Sequence, residues 1–285
     1  MKVLWIVSFR PIGKSKSNDF FQSMFVESVK SLDSDVCFSL TQFNEKNVKK
    51  FIKEKKIKNF YKNISKKKLP PGKKYSNKLM LANALDQFIE KGKFDYLVFS
   101  TADILVPNNL IKELKKINIK NYCGFVFPNT QVINGQLKNT FWPYFGIDLI
   151  IFKIDKKKAK EFRKIIKFYN QYDWGVIENF YIAVCEVLKL KKINLYKKMK
   201  VIKFENDFGS FSEDRSWQIN SWKENQKYFI QFLNKYKLSK LYAYGSYYYL
   251  LYKIFNFKDL NFSLFLSYLI FYPYNLLKKL LYYFK

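Results

Sequence analysis

Lys93-Phe94-Asp95-Tyr96-Leu97-Val98-Phe99-Ser100-Thr101-Ala102-Asp103-Ile104-Leu105-Val106-Pro107-Asn108-Asn109-Leu110-Ile111-Lys112-Glu113-Leu114 is the stretch on which the fold turns. Phe94 to Phe99 is a short run of apolar, aromatic and β-branched residues, the pattern of a buried strand. It ends in the small polar cluster Ser100, Thr101, Ala102 and Asp103. Pro107 and the spacing of Leu110, Ile111 and Leu114 then start a helix. Strand side chains alternate, so Thr101 and Asp103 project in the same general direction on either side of Ala102. Open α/β sheets bind ligands at the carboxyl ends of their central strands. Asp103 there offers a hard oxygen to Mg²⁺ or Mn²⁺ holding a diphosphate. The same residue would also serve simply as a strand terminus and helix cap.

Working outward, Lys2–Phe9 is a near-continuous apolar run and reads as a strand buried on both faces. Arg10-Pro11-Ile12-Gly13 breaks it. Asn18 or Asp19 can cap a helix carrying Phe21, Met24, Phe25, Val29 and Leu32 at helical spacing. A second strand, Asp35–Thr41, and a basic helix, Glu45–Lys56, follow. Strand, helix, strand in this order predicts a right-handed crossover and a parallel pair. Ser8, Phe9 and Arg10 then lie on a crevice edge of nucleotide size. Residues 65–75, with five lysines around Pro70-Pro71-Gly72, form a loop. From Ser76 a helix containing Asn77-Lys78-Leu79-Met80-Leu81-Ala82-Asn83-Ala84-Leu85 leads into the central strand.

The chain has 285 residues, is 48% hydrophobic and carries a formal charge of +29. That length suits one large domain, or one domain with an appendage. The charge would ordinarily suggest nucleic acid or anionic lipid. It needs discounting, because Lys is abundant together with Asn, Ile, Phe and Tyr, the residues an AT-rich coding sequence favours. Only three arginines occur, Arg10, Arg163 and Arg215. Where Lys is the default cation, an Arg marks a need for a bidentate fork, as for a diphosphate. Arg163 falls in the helical run Lys156–Lys167 and reads as solvated surface. Arg10 and Arg215 fall in loops beside candidate sites. The chain has no His, which excludes His-based zinc sites, Ser-His-Asp triads and His general bases. Cys37, Cys123 and Cys185 are isolated and odd in number, as in a reduced cytosolic chain with core cysteines. Met1–Ser8 reads as a strand rather than a signal segment, its apolar run being short.

An N-terminal strand, a Lys-x-x-x-Ala-Asn-Ala-Leu helix at Lys78–Leu85 and a Tyr-Leu-Val-Phe-x-x-Ala-Asp strand end at Tyr96–Asp103 together resemble the GT-A nucleotide-sugar glycosyltransferases. The likeness covers roughly the first two-thirds of the chain. It implies an α/β, Rossmann-like, mostly parallel sheet flanked by helices. In that family an Asp-x-Asp motif holds the metal that bridges the donor diphosphate. Asp103 matches the second Asp, while Thr101 replaces the first, a departure that bears on metal use. Lys78 and Asn83 fall where the family's helix frames the nucleotide. The resemblance thus assigns Ser8, Phe9, Arg10, Lys78, Asn83, Thr101, Ala102 and Asp103 to the donor.

Further along, Tyr122–Phe127 reads as a strand, Val132–Leu137 as a hairpin around Asn134-Gly135, and Trp142–Phe152 as a strand entered through aromatics. The resemblance places Trp142, Asp148 and Trp174 on the acceptor side, since sugars stack on aromatic faces and hydrogen-bond to carboxylates. Tyr172-Asp173-Trp174-Gly175-Val176-Ile177-Glu178-Asn179 opens a helix whose apolar face is Phe180, Ala183, Val184 and Val187. It is similar to the Trp-Gly-x-Glu-Asp pattern of inverting members, with one extra residue before Glu178 and Asn179 in place of Asp. A carboxylate there deprotonates the acceptor hydroxyl. Glu178 is the first candidate and Asp173 the second, although Asp173 also suits a helix cap. After a strand at Met199–Lys203, the acidic loop 204–217 resembles the family's donor-closing loop. It offers Asp207 as a second metal ligand and Arg215 as a clamp on the diphosphate.

Residues 236–285 depart from this pattern, being dense in Tyr, Phe and Leu with scattered Lys. The uncharged run Leu260–Leu277 contains Pro273 and suits an interfacial helix pair better than a span. Basic neighbours would add attraction to anionic lipid; packing on the domain or on another subunit is the alternative. The expectation is therefore a catalytic domain over 1–235 and an aromatic, basic appendage over 236–285. The expected function is sugar transfer from a nucleotide diphosphate donor to a saccharide acceptor, lipid-linked, in surface-polysaccharide synthesis. A divalent cation would assist, and the protein would sit on the cytoplasmic face of the membrane. A non-catalytic polyanion- or membrane-binding protein and a nucleotidyltransferase of similar fold are the competing readings.

Overall fold

The computed structural model describes residues 1–71, 73, 76–91, 93–126, 128–133, 136–139, 147–170, 177–195, 198–204 and 215–244. Its strands are β1 (Lys2–Val7), β2 (Asp35–Gln42), β3 (Asn59–Asn63), β4 (Tyr96–Ser100), β5 (Ile104–Leu105), β6 (Tyr122–Val126), β7 (Pro128–Ile133), β8 (Gln136–Asn139), β9 (Leu149–Lys153), β10 (Lys191–Asn194) and β11 (Val201–Phe204). Its helices are α1 (Lys16–Lys30), α2 (Val48–Glu54), α3 (Asn77–Glu90), α4 (Leu110–Lys115), α5 (Lys156–Ile166), α6 (Ile177–Val187), α7 (Arg215–Lys235) and α8 (Leu241–Tyr244).

The apolar runs β1, β4 and β9 lie in the middle of a seven-stranded sheet of order β10-β6-β9-β4-β1-β2-β3. β1 pairs in parallel with both β2 and β4, as the strand–helix–strand order predicts. β9 runs antiparallel between β4 and β6, which makes the sheet mixed. Alternation along β1 divides the core. Leu4 and Ile6 pack with residues of α3, α5, α6 and α7, while Val3, Trp5 and Val7 pack with α1, α2 and α4. The result is a sheet with helices on both faces, in which near-continuous hydrophobicity is required. Trp5, deep in the second layer, donates its indole N–H to the Ser100 hydroxyl at 2.8 Å, tying β1 to the end of β4. The isolated cysteines 37, 123 and 185 are free and buried.

A smaller sheet of order β5-β11-β7-β8 sits beyond the carboxyl end of β4. β7 and β8 form the hairpin expected around Asn134-Gly135, with Ile133 opposite Gln136. β11 lies between β5 and β7, antiparallel to the first and parallel to the second. Its partner β5 begins one residue after Asp103, so the small sheet is attached to the main one at the site itself.

Several local readings change. The cap of α1 is Ser15, whose hydroxyl accepts from the Asn18 amide at 3.4 Å. Asp19 turns instead to the Gly13 N–H at 2.9 Å. Arg163 is not simply solvated: it forks onto Asp86 at 2.6 and 3.1 Å, joining α5 to α3. The edge strands β3 and β10 lack apolar alternation and follow from pairing with β2 and β6. The boundary expected at 235/236 falls between α7 and α8, and the expected appendage from 245 onward lies outside the described residues. Tyr242 and Ala243 are buried with Phe229, Phe232 and Leu233 of α7, and Asn179 and Gln226 hydrogen-bond to their carbonyls. The run 260–277 lies outside the described residues. Among those described, no helix is long and apolar enough to cross a membrane.

Candidate active site

The antiparallel insertion of β9 beside β4 builds the centre. Leu149 pairs with Ser100, so the residue before β9 meets the residue after β4. The Thr101 N–H bonds to the Asp148 carbonyl at 3.3 Å, and the Thr101 hydroxyl donates to Asp148 Oδ1 at 3.3 Å. Asp148, expected on the acceptor side, therefore stands directly against the Thr101-Ala102-Asp103 strand end.

Between the two aspartates lies a residue the sequence reading did not single out. Lys203, from β11, places Nζ 3.0 Å from Asp103 Oδ1 and 2.9 Å from Asp148 Oδ1. All three residues are buried, at 8%, 5% and 8% exposure for Asp103, Asp148 and Lys203. The register Lys203↔Ile104 and the bond from the Phe204 N–H to the Asp103 carbonyl at 2.9 Å hold it there. One sequence signal could have found it. Strand alternation puts Lys203 on the same face as the fully buried Val201, and a lysine on an inward face needs partners.

Electrostatics follow from this packing. Burial pushes the Asp103 carboxyl up. The Lys203 charge, hydrogen bonds from Thr101 and Lys203, and the Arg10 guanidinium outweigh it and hold Asp103 below the usual carboxylate range. Asp148 is raised: burial and repulsion from Asp103 exceed the pull of Lys203. Its Oδ2 is buried and has no hydrogen-bond partner among the described residues.

Glu178 occupies the first turn of α6. Loss of hydration, reinforced by the negative charge of Asp148, pushes its carboxyl up to about 7, against the favourable backbone N–H and Lys203. Glu178 therefore feels both Asp148 and Lys203 and belongs to the same group. A carboxyl balanced near neutrality is the state a general base requires.

The other candidates are placed as follows. Arg10 donates to Asn18 Oδ1 at 3.2 Å through its guanidinium, and its backbone N–H reaches Gln22 at 2.6 Å. Ser8 is half-buried. Phe9, at the end of the first strand, has its ring fully buried against Phe25 and Phe51. Asn83 donates to Thr41 Oγ1 at 2.9 Å beside the end of β2. Lys78 bonds to the Lys167 carbonyl and to Asn170 Oδ1 at 3.1 and 2.6 Å, bridging the start of α3 and the end of α5. Trp142, Asp173, Trp174 and Asp207 lie outside the described residues. Arg215 is the first residue of α7 rather than a loop residue; its side chain lies outside the described part.

The divalent site expected at Asp103 does not fit the side chains around it. Thr101 supplies a neutral hydroxyl where a carboxylate was wanted, and the ammonium of Lys203 already contacts the Asp103 oxygen. No group of three acidic, Cys or His side chains able to hold a metal exists among the described residues.

Comparison with protein-family models and with curated proteins returns no match. Solved structures do match. Residues 1–349 of S. aureus TarS in complex with UDP-GlcNAc align at a TM-score of 0.54 and 10% identity, over 85% of this chain and 69% of that one. The fold is GT-A. A Desulfovibrio desulfuricans G20 protein, provisionally described as a nucleotide-diphospho-sugar transferase, aligns at 0.42 and 13% identity over 81% of this chain and 97% of its own. Asp103, Asp148 and Lys203 meet at the carboxyl end of β4, and Glu178 is near enough to feel the charges of Asp148 and Lys203.

Proposed function

We propose that this protein transfers a glycosyl group from a nucleoside diphosphate sugar to a saccharide hydroxyl. The observation that carries the reading is Glu178: a carboxyl held at about 7, beside the buried Asp103–Asp148–Lys203 group, at the carboxyl end of the central strand of a GT-A fold. Glu178 accepts the proton of the acceptor hydroxyl. The acceptor oxygen forms its bond to the anomeric carbon as the bond to the diphosphate breaks, and the nucleoside diphosphate leaves with the electron pair. A single displacement of this kind inverts the anomeric centre. Arg10, near enough to lower Asp103, supplies positive charge on the donor side. Since TarS was solved with UDP-GlcNAc, uridine diphosphate sugars are the first donors to try.

The test is a thermal-unfolding panel with UDP, GDP, CDP and CMP, followed by turnover with the matching sugars. One nucleoside diphosphate should stabilise the fold by about 2.7 kcal/mol at a hundredfold excess over its Kd. Its sugar should then be consumed only when a saccharide acceptor is present. Release of pyrophosphate from a nucleoside triphosphate, without sugar transfer, would overturn the reading.

We further propose a lipid-linked acceptor in surface-polysaccharide synthesis, reached by peripheral contact with an anionic membrane. Support comes from the end of α5, where exposed Lys164 and Lys167 adjoin Phe168, itself 44% exposed. Chain direction brings this end of α5 to the same sheet edge as the site. Vesicles containing phosphatidylglycerol should bind the protein at low salt and release it as salt rises, because the attraction falls off within a Debye length. Equal binding to neutral vesicles would count against this part.

A further inference from the structure

We propose that the Lys203 ammonium does the work of a divalent cation in this site, holding the donor diphosphate with a fixed positive charge. The inference rests on the donor reading above. It starts from the misfit at Asp103. A magnesium or manganese ion bound there would lie about 2.1 Å from a carboxylate oxygen. Lys203 Nζ already stands 3.0 Å from Oδ1 of that carboxylate, so the ion would have to share the Asp103 carboxylate with a second positive charge.

The lysine is built in rather than incidental. β11 is paired on both sides, to β5 and to β7, so its backbone cannot drift from Asp103. Two carboxylates at 3.0 and 2.9 Å compensate and aim the ammonium, which a buried cation requires. Thr101 fits the same logic: a carboxylate in its place would add a third negative charge around a single lysine. As a compact point charge, an ammonium is a good phosphate binder. Arg10, whose charge reaches Asp103, adds a planar fork on the same side.

Calorimetric titration of the wild-type chain with UDP, GDP, CDP and their monophosphates, in excess chelator and again with Mg²⁺ or Mn²⁺, decides the matter. One diphosphate should bind in chelator, more tightly than its monophosphate, with no gain on adding metal. Lys203→Met should reduce that advantage roughly ten- to hundredfold, the worth of a hydrogen bond to a charged group, and Lys203→Arg should keep much of it. Binding that appears only with metal would overturn the proposal and leave the glycosyltransferase reading standing. A folded Lys203→Met protein that keeps the full diphosphate preference would do the same. If no nucleotide binds under either condition, both readings fall. Should Lys203→Met not fold, the chelator comparison on the wild-type chain decides alone.

Discussion

Replacing Glu178 by Gln is expected to slow glycosyl transfer by about 10²–10⁴-fold, the range over which a positioned general base contributes. Gln keeps the shape and can still accept a hydrogen bond, but it cannot take the acceptor proton. The loss should appear in kcat, with little change in donor affinity. The wild-type rate should carry the titration of this group: with the carboxyl at about 7, kcat/KM rises about tenfold per pH unit below that value and flattens above it. Stability should move the other way. The folded value lies above the ordinary 4.5, so the ionised form is disfavoured by folding. That cost is absent below 4.5, grows as pH rises toward 7 and is full above it. Glu178→Gln should therefore be more stable than wild type at pH 8 and match it near pH 4.5. A variant with wild-type turnover, or one whose rate keeps the same pH profile, would remove Glu178 from the chemistry.

The same carboxylate shows what a sequence makes visible. Glu178 stood out because it is acidic, near the start of an apolar helix, in a chain without His. Asp103 stood out because it ends a short apolar strand. Asp148 could be suspected from an aromatic entry into a strand, but its meeting with Thr101 depends on β9 running antiparallel. Nothing in Leu149–Lys153 gives a direction: a strand buried on both faces reads as continuous apolar residues whichever way it runs. The small sheet was hardest to foresee. β5 has two residues and joins β11 across a separation of about a hundred positions, so pairing rather than local propensity makes it a strand. Lys203 was hidden by composition. In a chain carrying 52 Lys and Arg, one more lysine reads as solvated surface, and only its place on the inward face of β11 distinguishes it. Phe9 is the reverse case. It ends the first strand at the crevice edge, yet its ring turns into the layer formed by α1 and α2, where two aromatic edges meet it.

Removing the Lys203 charge should also be felt in the fold. Lys203→Met leaves Asp103 and Asp148 buried at 8% and 5% exposure without their shared cation. Breaking a buried pair in this way costs about 3–5 kcal/mol. The pH dependence gives the signature. In the wild-type chain Asp103 is held below its ordinary 3.8 by Lys203 among others. Its contribution is therefore present above 3.8 and lost as pH falls through its lower folded value. Asp148 is raised and weighs against the fold once pH exceeds 3.8. Without the ammonium both carboxyls move up, and the variant's folded state gains protons where wild type does not. The stability gap should be widest at pH 7 and should narrow as the solution is acidified toward 4. Urea unfolding at several pH values measures this directly. The triple variant Asp103→Asn, Asp148→Asn, Lys203→Met should recover most of the loss at neutral pH, because it removes the uncompensated charges along with their partner. A Lys203→Met protein within about 1 kcal/mol of wild type at pH 7, the worth of an exposed pair, would mean that the three charges are far better solvated than their burial implies. Lys203 would then be an ordinary surface lysine, and the carboxylates would again be open to a metal ion.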